Sequence, residues 1–313
     1  MTLFPGEPMM TANIDDLPYP HRTVSARRRE DLKKEIDTLH ADGKLADIVY
    51  RSYSRIFDCP MPEGYSESGS LIVAAVPRPQ ETIGFSWKGA THWLLLPPSY
   101  IRYWEITEQV ESLLNQRLKP HGYGVTFARV PQKIAAARSG LAQYGRNNIT
   151  YVPGCGSFHM LVTFYSDMPR PDDTWQEPEI MPQCQTCSAC AAACPSKAIS
   201  RDGFMIQQDR CITLYSGYSG GLDFPDWLDA SWIECLIGCM KCQRSCPENR
   251  AYVKWIEQNE SFSEEETQLL RTGLDENDIP GSIRDKLDRM GLIRFFGLKK
   301  CLETLSYKLK LLL

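Results

Sequence analysis

The sequence has no run of about twenty apolar residues, the length that a membrane-spanning helix needs. Its first residues, MTLFPGEPMMTANIDDL, lack the charged start and apolar stretch of a secretory signal. It also lacks a strong excess of one charge sign, because the formal net charge is only -4. We therefore expect a cytoplasmic protein without a membrane span, and we do not expect nucleic acid among its partners.

The charge is nevertheless uneven along the chain. Residues 281–313 carry eight basic and three acidic side chains, so an anionic partner would meet this end first. The last segment, GLKKCLETLSYKLKLLL, predicts a basic amphipathic helix that packs on the protein's own core or lies against a membrane or a partner; we favour packing. Its apolar stripe comprises Leu298, Cys301, Leu302, Leu305, Leu309 and Leu312.

Alternating apolar patterns predict an α/β (α+β) domain over residues 1–175. Residues 24–57 have helical spacing, and SLIVAAVP, residues 70–77, is a short apolar run typical of a strand buried on both faces. The segments that follow predict a strand (THWLLLPP), a helix (YIRYWEITEQVESLLNQRLKPHGY), a strand (VTFAR), a helix (IAAARSGLAQYG) and a strand (FHMLVTFYS).

The rest of the chain divides into two further units. Residues 166–183 are rich in proline and acidic side chains and predict a linker. A cysteine-rich domain is expected over residues 176–252, and a helical C-terminal extension over residues 253–313. The segments FSEEETQLLR and SIRDKLDRM predict short helices within that extension.

The chain contains twelve cysteines, and without an export signal they favour thiolate ligands over disulfides. The stretch CQTCSACAAACP, residues 184–195, has the C-x2-C-x2-C-x3-C-P spacing of bacterial ferredoxins. In this pattern three thiolates bind one 4Fe-4S cluster and the fourth binds a second cluster. We therefore predict that Cys184, Cys187 and Cys190 bind one cluster.

A second cysteine motif, CMKCQRSCPEN, supplies the partners that this pattern requires. Cys246 completes the first cluster, while Cys194, Cys239 and Cys242 bind the second. Cys211 and Cys235 both remain available as the eighth ligand. A zinc site is the alternative for any C-x2-C pair, but the paired C-x3-C-P endings favour two 4Fe-4S clusters. Cys59, Cys155 and Cys301 are expected to be small buried apolar residues.

Upstream of these motifs, AAARSGLAQYGRNNITYVPGCGSF places glycine turns after a predicted helix that ends at Gly140 or Gly145. Such turns let a ligand approach the backbone closely, and the side chains of Arg146 and Asn147 can donate hydrogen bonds to it. Glycine turns are also common for purely structural reasons.

In this order, SGLAQYGRNN, GCGSF, MPRPDD and the two cysteine motifs resemble the epoxyqueuosine reductases and, more distantly, the reductive dehalogenases. The resemblance covers about residues 70–250. It implies a nitroreductase-like domain that binds base-off cobalamin, followed by a bacterial ferredoxin-like domain with two 4Fe-4S clusters. It favours Cys211 over Cys235, because the family has a ligand cysteine followed by a hydroxyl-rich loop at that place. The residues expected to line the corrinoid are Gly140, Leu141, Tyr144, Gly145, Arg146, Asn147, Gly156 and Ser157.

The sequence departs from the queuosine enzymes at their essential acid. Alignment on Pro131 places Ala128 at that position, and Ile134 where a further acidic residue usually follows. Only about 64 residues follow Asn249, whereas those enzymes continue into helical repeats that bind tRNA. The basic residue after Gly145 is Arg146, as in the dehalogenases. We identify Arg146 and Tyr144 as candidate catalytic residues, with Tyr123 as another tyrosine near the motif.

The resemblance gives three hypotheses for function. The first is an oxidoreductase that passes low-potential electrons through two 4Fe-4S clusters to a corrinoid for reductive chemistry on a small molecule. The second is an electron-transfer protein that reduces or reactivates a corrinoid protein, and the third is epoxyqueuosine reduction on tRNA. Each needs a low-potential electron donor such as ferredoxin or flavodoxin.

Overall fold

The computed structural model describes residues 14–170, 173–201, 205–217, 222–272, 276–296, 299, 303 and 306–307. The strands are β1 (His21–Ser25), β2 (Ser70–Pro77), β3 (Gln80–Trp87), β4 (Ala90–Leu96), β5 (Val125–Phe127), β6 (Gln143–Tyr144), β7 (Thr150–Tyr151), β8 (His159–Ser166) and β9 (Ile256–Phe262). The α-helices are α1 (Arg28–Ala41), α2 (Asp47–Ser52), α3 (Ser54–Phe57), α4 (Tyr103–Leu118), α5 (Gln132–Arg138), α6 (Ala189–Ala193), α7 (Ile212–Gly217), α8 (Lys241–Arg244), α9 (Glu264–Thr272), α10 (Gly281–Arg289) and α11 (Leu292–Phe296). Short 3-10 turns lie at Lys119–His121, Pro182–Gln185, Gln208–Arg210, Ala230–Trp232, Pro247–Asn249 and Glu276–Asp278.

The main sheet has the strand order β1-β2-β8-β5, and all of its pairs are antiparallel. Its central strand β2 is buried on both faces, as the apolar run SLIVAAVP predicts. Because side chains alternate along a strand, Leu71 and Val73 pack toward α1 and α5, while Ile72 packs toward α4. The expectation of a mixed α and β domain is confirmed.

A second sheet has the order β4-β3-β9. Strand β3 pairs antiparallel with β4 and parallel with β9, which comes from the C-terminal extension. Helices α9, α10 and α11 pack on this sheet around Phe85 and Phe262. The prediction of an entirely helical extension is therefore wrong over Ile256–Phe262. That segment is largely polar and exposed, so it has no apolar alternation to mark it as a strand.

Other predicted elements agree with the structure in part. The helical prediction over residues 24–57 holds for three helices, but the segment begins inside β1, which pairs with β2. Strand β3 was not predicted from the sequence. The basic helix predicted over residues 297–313 lies almost entirely outside the described residues. Within the described part of the chain, no helix is both long enough and apolar enough to cross a membrane.

A small hairpin connects the main sheet to the cysteine-rich region. Strands β6 and β7 pair antiparallel, and the turn between them contains Gly145, Arg146 and Asn147. The chain entering the cysteine region runs beside this hairpin: Tyr144 N–H donates to Glu179 O at 2.8 Å, and Met181 N–H donates to Tyr144 O at 2.8 Å. The glycine motif is thus placed directly against the first cysteine motif.

Candidate metal centre

Four of the predicted ligands form a first cysteine group, made of Cys184, Cys187, Cys190 and Cys246. Cys184 lies in a 3-10 turn, Cys190 lies on α6, and Cys246 follows α8. Burial raises the pKa of the Cys190 thiol, and the nearby thiolates of Cys184, Cys246 and Cys187 raise it further. The two sequence motifs therefore meet in space, as the crossed ligand pattern requires.

The other four form a second cysteine group, made of Cys194, Cys211, Cys239 and Cys242. Burial raises the pKa of Cys242 well above its ordinary value, and the thiolates of Cys239 and Cys211 add to this effect. Burial also raises the pKa of Cys211, whereas hydrogen bonds from the backbone and side chain of Thr213 lower it. The negative charge of Cys194 raises the same pKa.

Lys133 lies close to the second cysteine group. Its ammonium donates to Asn148 O at 2.9 Å and to Asn148 Oδ1 at 2.6 Å. Its charge acts on Cys211, and the thiolates of Cys211 and Cys242 act on it in turn. Sequence reasoning missed this lysine, because it lies on α5, far along the chain from the cysteines.

The remaining described cysteines are buried. Cys235 is buried with Leu95, Phe158 and Met240 and forms a β-bridge with Leu95. Cys59 and Cys155 are buried in the core of the main domain, as expected for small apolar residues. Burial raises the pKa of the Cys59 and Cys155 thiols to about 12 and about 11. Cys301 lies outside the described residues.

A pocket of about 400 Å³ adjoins the first cysteine group. Both the glycine turns and the cysteine-rich region contribute to its wall. The lining residues are Gly140, Leu141, Ala142, Gln143, Tyr151, Val152, Pro153, Gly154, Gly156, Gln176, Met181, Gln183, Glu248 and Tyr252. Gln183 precedes Cys184, and Glu248 lies two residues after Cys246, so a ligand in the pocket would lie next to this cysteine group.

The eight residues expected to line a corrinoid separate into two sets. Gly140, Leu141 and Gly156 line the pocket. The others do not belong to its lining: Tyr144, Gly145, Arg146, Asn147 and Ser157. Tyr144 is only 3% exposed, and burial raises its pKa above the ordinary range of tyrosine. Tyr123, on the loop before β5, packs against the core on the α4 side of the main sheet.

Arg146 contacts the first cysteine group rather than the pocket. Its Nη2 donates to the backbone carbonyl of Cys184. Its Nε is buried and has no hydrogen-bond partner among the described residues. A buried donor without a partner is costly, so a sulfur acceptor bound at the cysteine group would satisfy it.

Gly156 and Ser157 contact the second cysteine motif. Ser157 N–H donates to Asn249 Oδ1 at 2.9 Å, and Ser157 Oγ donates to Gln243 Oε1 at 2.9 Å. A Cβ on Gly156 would lie 2.4 Å from Asn249 Oδ1, so only glycine permits this approach. Asn249 was not among the predicted site residues, although it ends the quoted motif CMKCQRSCPEN.

The cysteine-rich region and the chain as a whole are similar to known proteins. Residues 183–249 match the family model of the 4Fe-4S double cluster binding domain. The epoxyqueuosine reductase of Aliivibrio fischeri is 30% identical over 148 residues, which is 47% of this chain and 36% of that protein. The epoxyqueuosine reductase of Staphylococcus aureus is 29% identical over 262 residues, which is 77% of this chain and 62% of that protein. The chain thus matches less than two thirds of the length of either relative.

The fold is shared with a solved structure. Epoxyqueuosine reductase bound to an epoxyqueuosine-modified tRNA stem loop aligns with a TM-score of 0.60 at 19% identity, over 92% of this chain and 76% of that chain. The resemblance inferred from the motifs is confirmed: this chain is similar to the epoxyqueuosine reductases in sequence and in fold, and it contains a double-cluster iron–sulfur domain.

Proposed function

We propose that this protein is an iron–sulfur oxidoreductase whose two cysteine groups each bind one 4Fe-4S cluster. Cys184, Cys187, Cys190 and Cys246 bind the pocket-side cluster. Cys194, Cys211, Cys239 and Cys242 bind the other. The observation that carries the proposal is that eight cysteines from two distant motifs and one separate segment lie close together in the fold, and the motif pattern divides them into two sets of four.

The chemistry of the donor set fits iron. After burial, the neighbouring thiolates of Cys239 and Cys211 raise the pKa of Cys242 further, and a bound metal relieves such repulsion between thiolates. No three His, Cys, Asp or Glu side chains among the described residues converge closely enough to hold a single metal ion. Ligands of a cubane surround four irons and lie farther apart. The unpaired Nε of Arg146 and the Thr213 hydroxyl supply donors for cluster and cysteine sulfurs.

The position of the pocket supports a direction of electron flow. The first cysteine group adjoins it through Gln183, Tyr151 and Glu248. With both clusters bound, electrons from a donor such as ferredoxin or flavodoxin would enter at the second group and leave from the first toward the pocket. Electron transfer between the groups is supported by their proximity, since the charge of Cys190 acts on Cys242.

We propose cobalamin as the occupant of the pocket. Gly140, Leu141 and Gly156 would border it, with backbone exposed where side chains are absent. When bound, cobalamin supplies a cobalt centre capable of low-potential reductive chemistry. Gln176 and Gln143 add amide groups to the wall that can bind its polar substituents. Glu248 supplies a carboxyl group to the wall, whereas Ala128 is fully buried in the core and supplies none.

Two alternative substrates are proposed. The first is a small molecule reduced in the pocket. The second is epoxyqueuosine in tRNA, which is favoured by the names of the relatives and by the shared fold. A synthetic RNA stem loop that contains epoxyqueuosine distinguishes the two substrates. Reduction of this RNA by the protein with its cofactors bound supports the tRNA substrate. If the RNA is neither reduced nor bound at low salt, the tRNA substrate is excluded. If the RNA is reduced, Glu248→Gln should slow turnover while leaving the iron content unchanged.

Anaerobic reconstitution tests the cofactors. The protein should bind about eight irons per chain, as expected for two four-iron clusters, and titration with hydroxocobalamin should give the visible spectrum of the base-off form. Failure to bind iron would exclude the iron–sulfur function. Full iron content without any spectral change on titration would exclude cobalamin alone and leave the electron-transfer function standing.

A further inference from the structure

Tyr151 contacts the first cysteine group directly. It lies at the end of β7, is 5% exposed and packs with Met181, Cys184 and Cys246. Its hydroxyl interacts with the Cys246 sulfur and is the group that can donate a hydrogen bond to it. Tyr151 also forms part of the pocket wall, so it stands between the pocket and the cluster ligands.

The glycine motif holds this tyrosine in place. Asn147 Nδ2 donates to Tyr151 Oη at 3.1 Å, which occupies a lone pair of the oxygen and leaves its hydrogen available to the sulfur. Asn147 is itself fixed, because its Oδ1 accepts from Ile149 N–H at 3.2 Å. A Cβ on Gly145 would lie 2.5 Å from Tyr151 Cε2. The absence of a side chain at Gly145 is therefore what lets the Tyr151 ring lie here.

A hydrogen bond to a ligand sulfur affects the two oxidation states of a cluster unequally. Reduction adds negative charge to the cluster, and a donor stabilises the reduced form more than the oxidised form. Such a bond raises the reduction potential. Because Tyr151 contacts Cys246, its effect should be largest on the cluster of the first cysteine group.

We propose that Tyr151 donates a hydrogen bond to Cys246 and thereby sets the reduction potential of the pocket-side cluster, and that Asn147 is a positioning residue that acts through Tyr151. This inference rests on the proposed iron–sulfur function. It gives Gly145 and Asn147 a role in positioning Tyr151 beside the cluster.

Redox titration followed by electron paramagnetic resonance tests the proposal in the reconstituted full chain. Tyr151→Phe should shift one of the two cluster signals to a more negative potential and leave the other unchanged. Asn147→Ala should shift the same signal in the same direction, and the double variant should shift it no further than Tyr151→Phe alone. Tyr165→Phe is the matched control, since the buried Tyr165 hydroxyl has no partner among the described residues and lies near Cys59.

A second substitution keeps the test informative if Tyr151→Phe binds less iron. Incorporation of 3-fluorotyrosine at position 151 keeps the ring and makes the hydroxyl a stronger donor, so the same signal should move to a more positive potential. An unchanged potential in either variant at full iron content would overturn the inference. If the unaltered protein binds no iron, the proposed function fails instead, and the two failures are distinguished by iron analysis.

Discussion

Asn249 accepts a hydrogen bond from the backbone N–H of Ser157 at 2.9 Å, which joins two motifs that lie about ninety residues apart. Its Nδ2 returns a hydrogen bond to Ser157 Oγ at 2.7 Å and also donates to Gln243 O at 2.7 Å. Asn249 is fully buried, so each of these bonds replaces one that water would otherwise supply. The network fixes the loop before β8 against the turn that follows Cys246.

The close approach at Gly156 predicts a severe effect of one methyl group. Gly156 has φ +55°, and an added Cβ would lie 2.4 Å from Asn249 Oδ1. We expect Gly156→Ala to lower the free energy of unfolding by about 2–4 kcal/mol, through backbone strain and loss of buried hydrogen bonds. Gly154→Ala is the matched control, because Gly154 has φ +85° but its Cβ would meet nothing within 4 Å. Equal melting temperatures for the two variants would contradict this account.

The choice of the eighth cluster ligand gives a second prediction. Cys211→Ala should reduce the iron content toward half and remove one of the two cluster signals, because Cys211 belongs to the second cysteine group. Cys235→Ala should keep both signals, because Cys235 packs with Leu95 and Phe158. Iron analysis and electron paramagnetic resonance on both variants check this. Loss of a cluster in Cys235→Ala but not in Cys211→Ala would reverse the assignment.

The cysteine pattern was informative because iron–sulfur ligands in one motif lie within a few residues of one another. The spacing around Cys190 and Cys246 depends on local chain geometry, so the sequence indicated both motifs and their crossed pairing. The same is true of β2, whose apolar run reflects burial on both faces. Strand β9 has no such local signal. Buried Glu81 on β3 contacts Arg78 and also Asn259 on β9. A single sequence does not show which distant polar residues will contact each other.

The glycine motif predicts close contacts with the backbone but not the residues that make them. A glycine permits close approach, but the pattern does not say what approaches. At Gly145 the neighbour is the Tyr151 ring, and at Gly156 it is the Asn249 side chain. Both contacts depend on how distant segments fold together. Gly140, whose φ is +75°, follows α5 and lines the pocket together with Gly154 and Gly156.

The buried His159 predicts a pH dependence of stability. Burial lowers its pKa to about 4 from an ordinary 6.5, against a hydrogen bond to Gly156 O at 3.1 Å. Between these values the unfolded chain binds a proton that the folded chain does not, so stability falls as the pH drops below 6.5. The loss should be roughly 2 kcal/mol between pH 7 and pH 5.

Thermal unfolding at those two pH values checks this expectation. His159→Gln should show a smaller difference between pH 7 and pH 5 than the unaltered protein, because glutamine keeps a donor and an acceptor but does not titrate. His92→Gln, at a partly exposed position on β4, serves as the control and should keep the full difference. An identical pH profile for His159→Gln and the unaltered protein would exclude His159 as the cause.

Lys133 predicts a change in the potential of the other cluster. Its ammonium acts on Cys211 and is held by Asn148, so it places a positive charge beside the second cysteine group. A positive charge stabilises the reduced cluster, and Lys133→Met should therefore shift the potential of that cluster to a more negative value. The signal that responds to Tyr151→Phe should not move. Lys44→Met removes a charge that is paired with Asp42 at the surface and should change neither signal. A shift of the Tyr151-sensitive signal in Lys133→Met would mean that the two groups are not tuned separately.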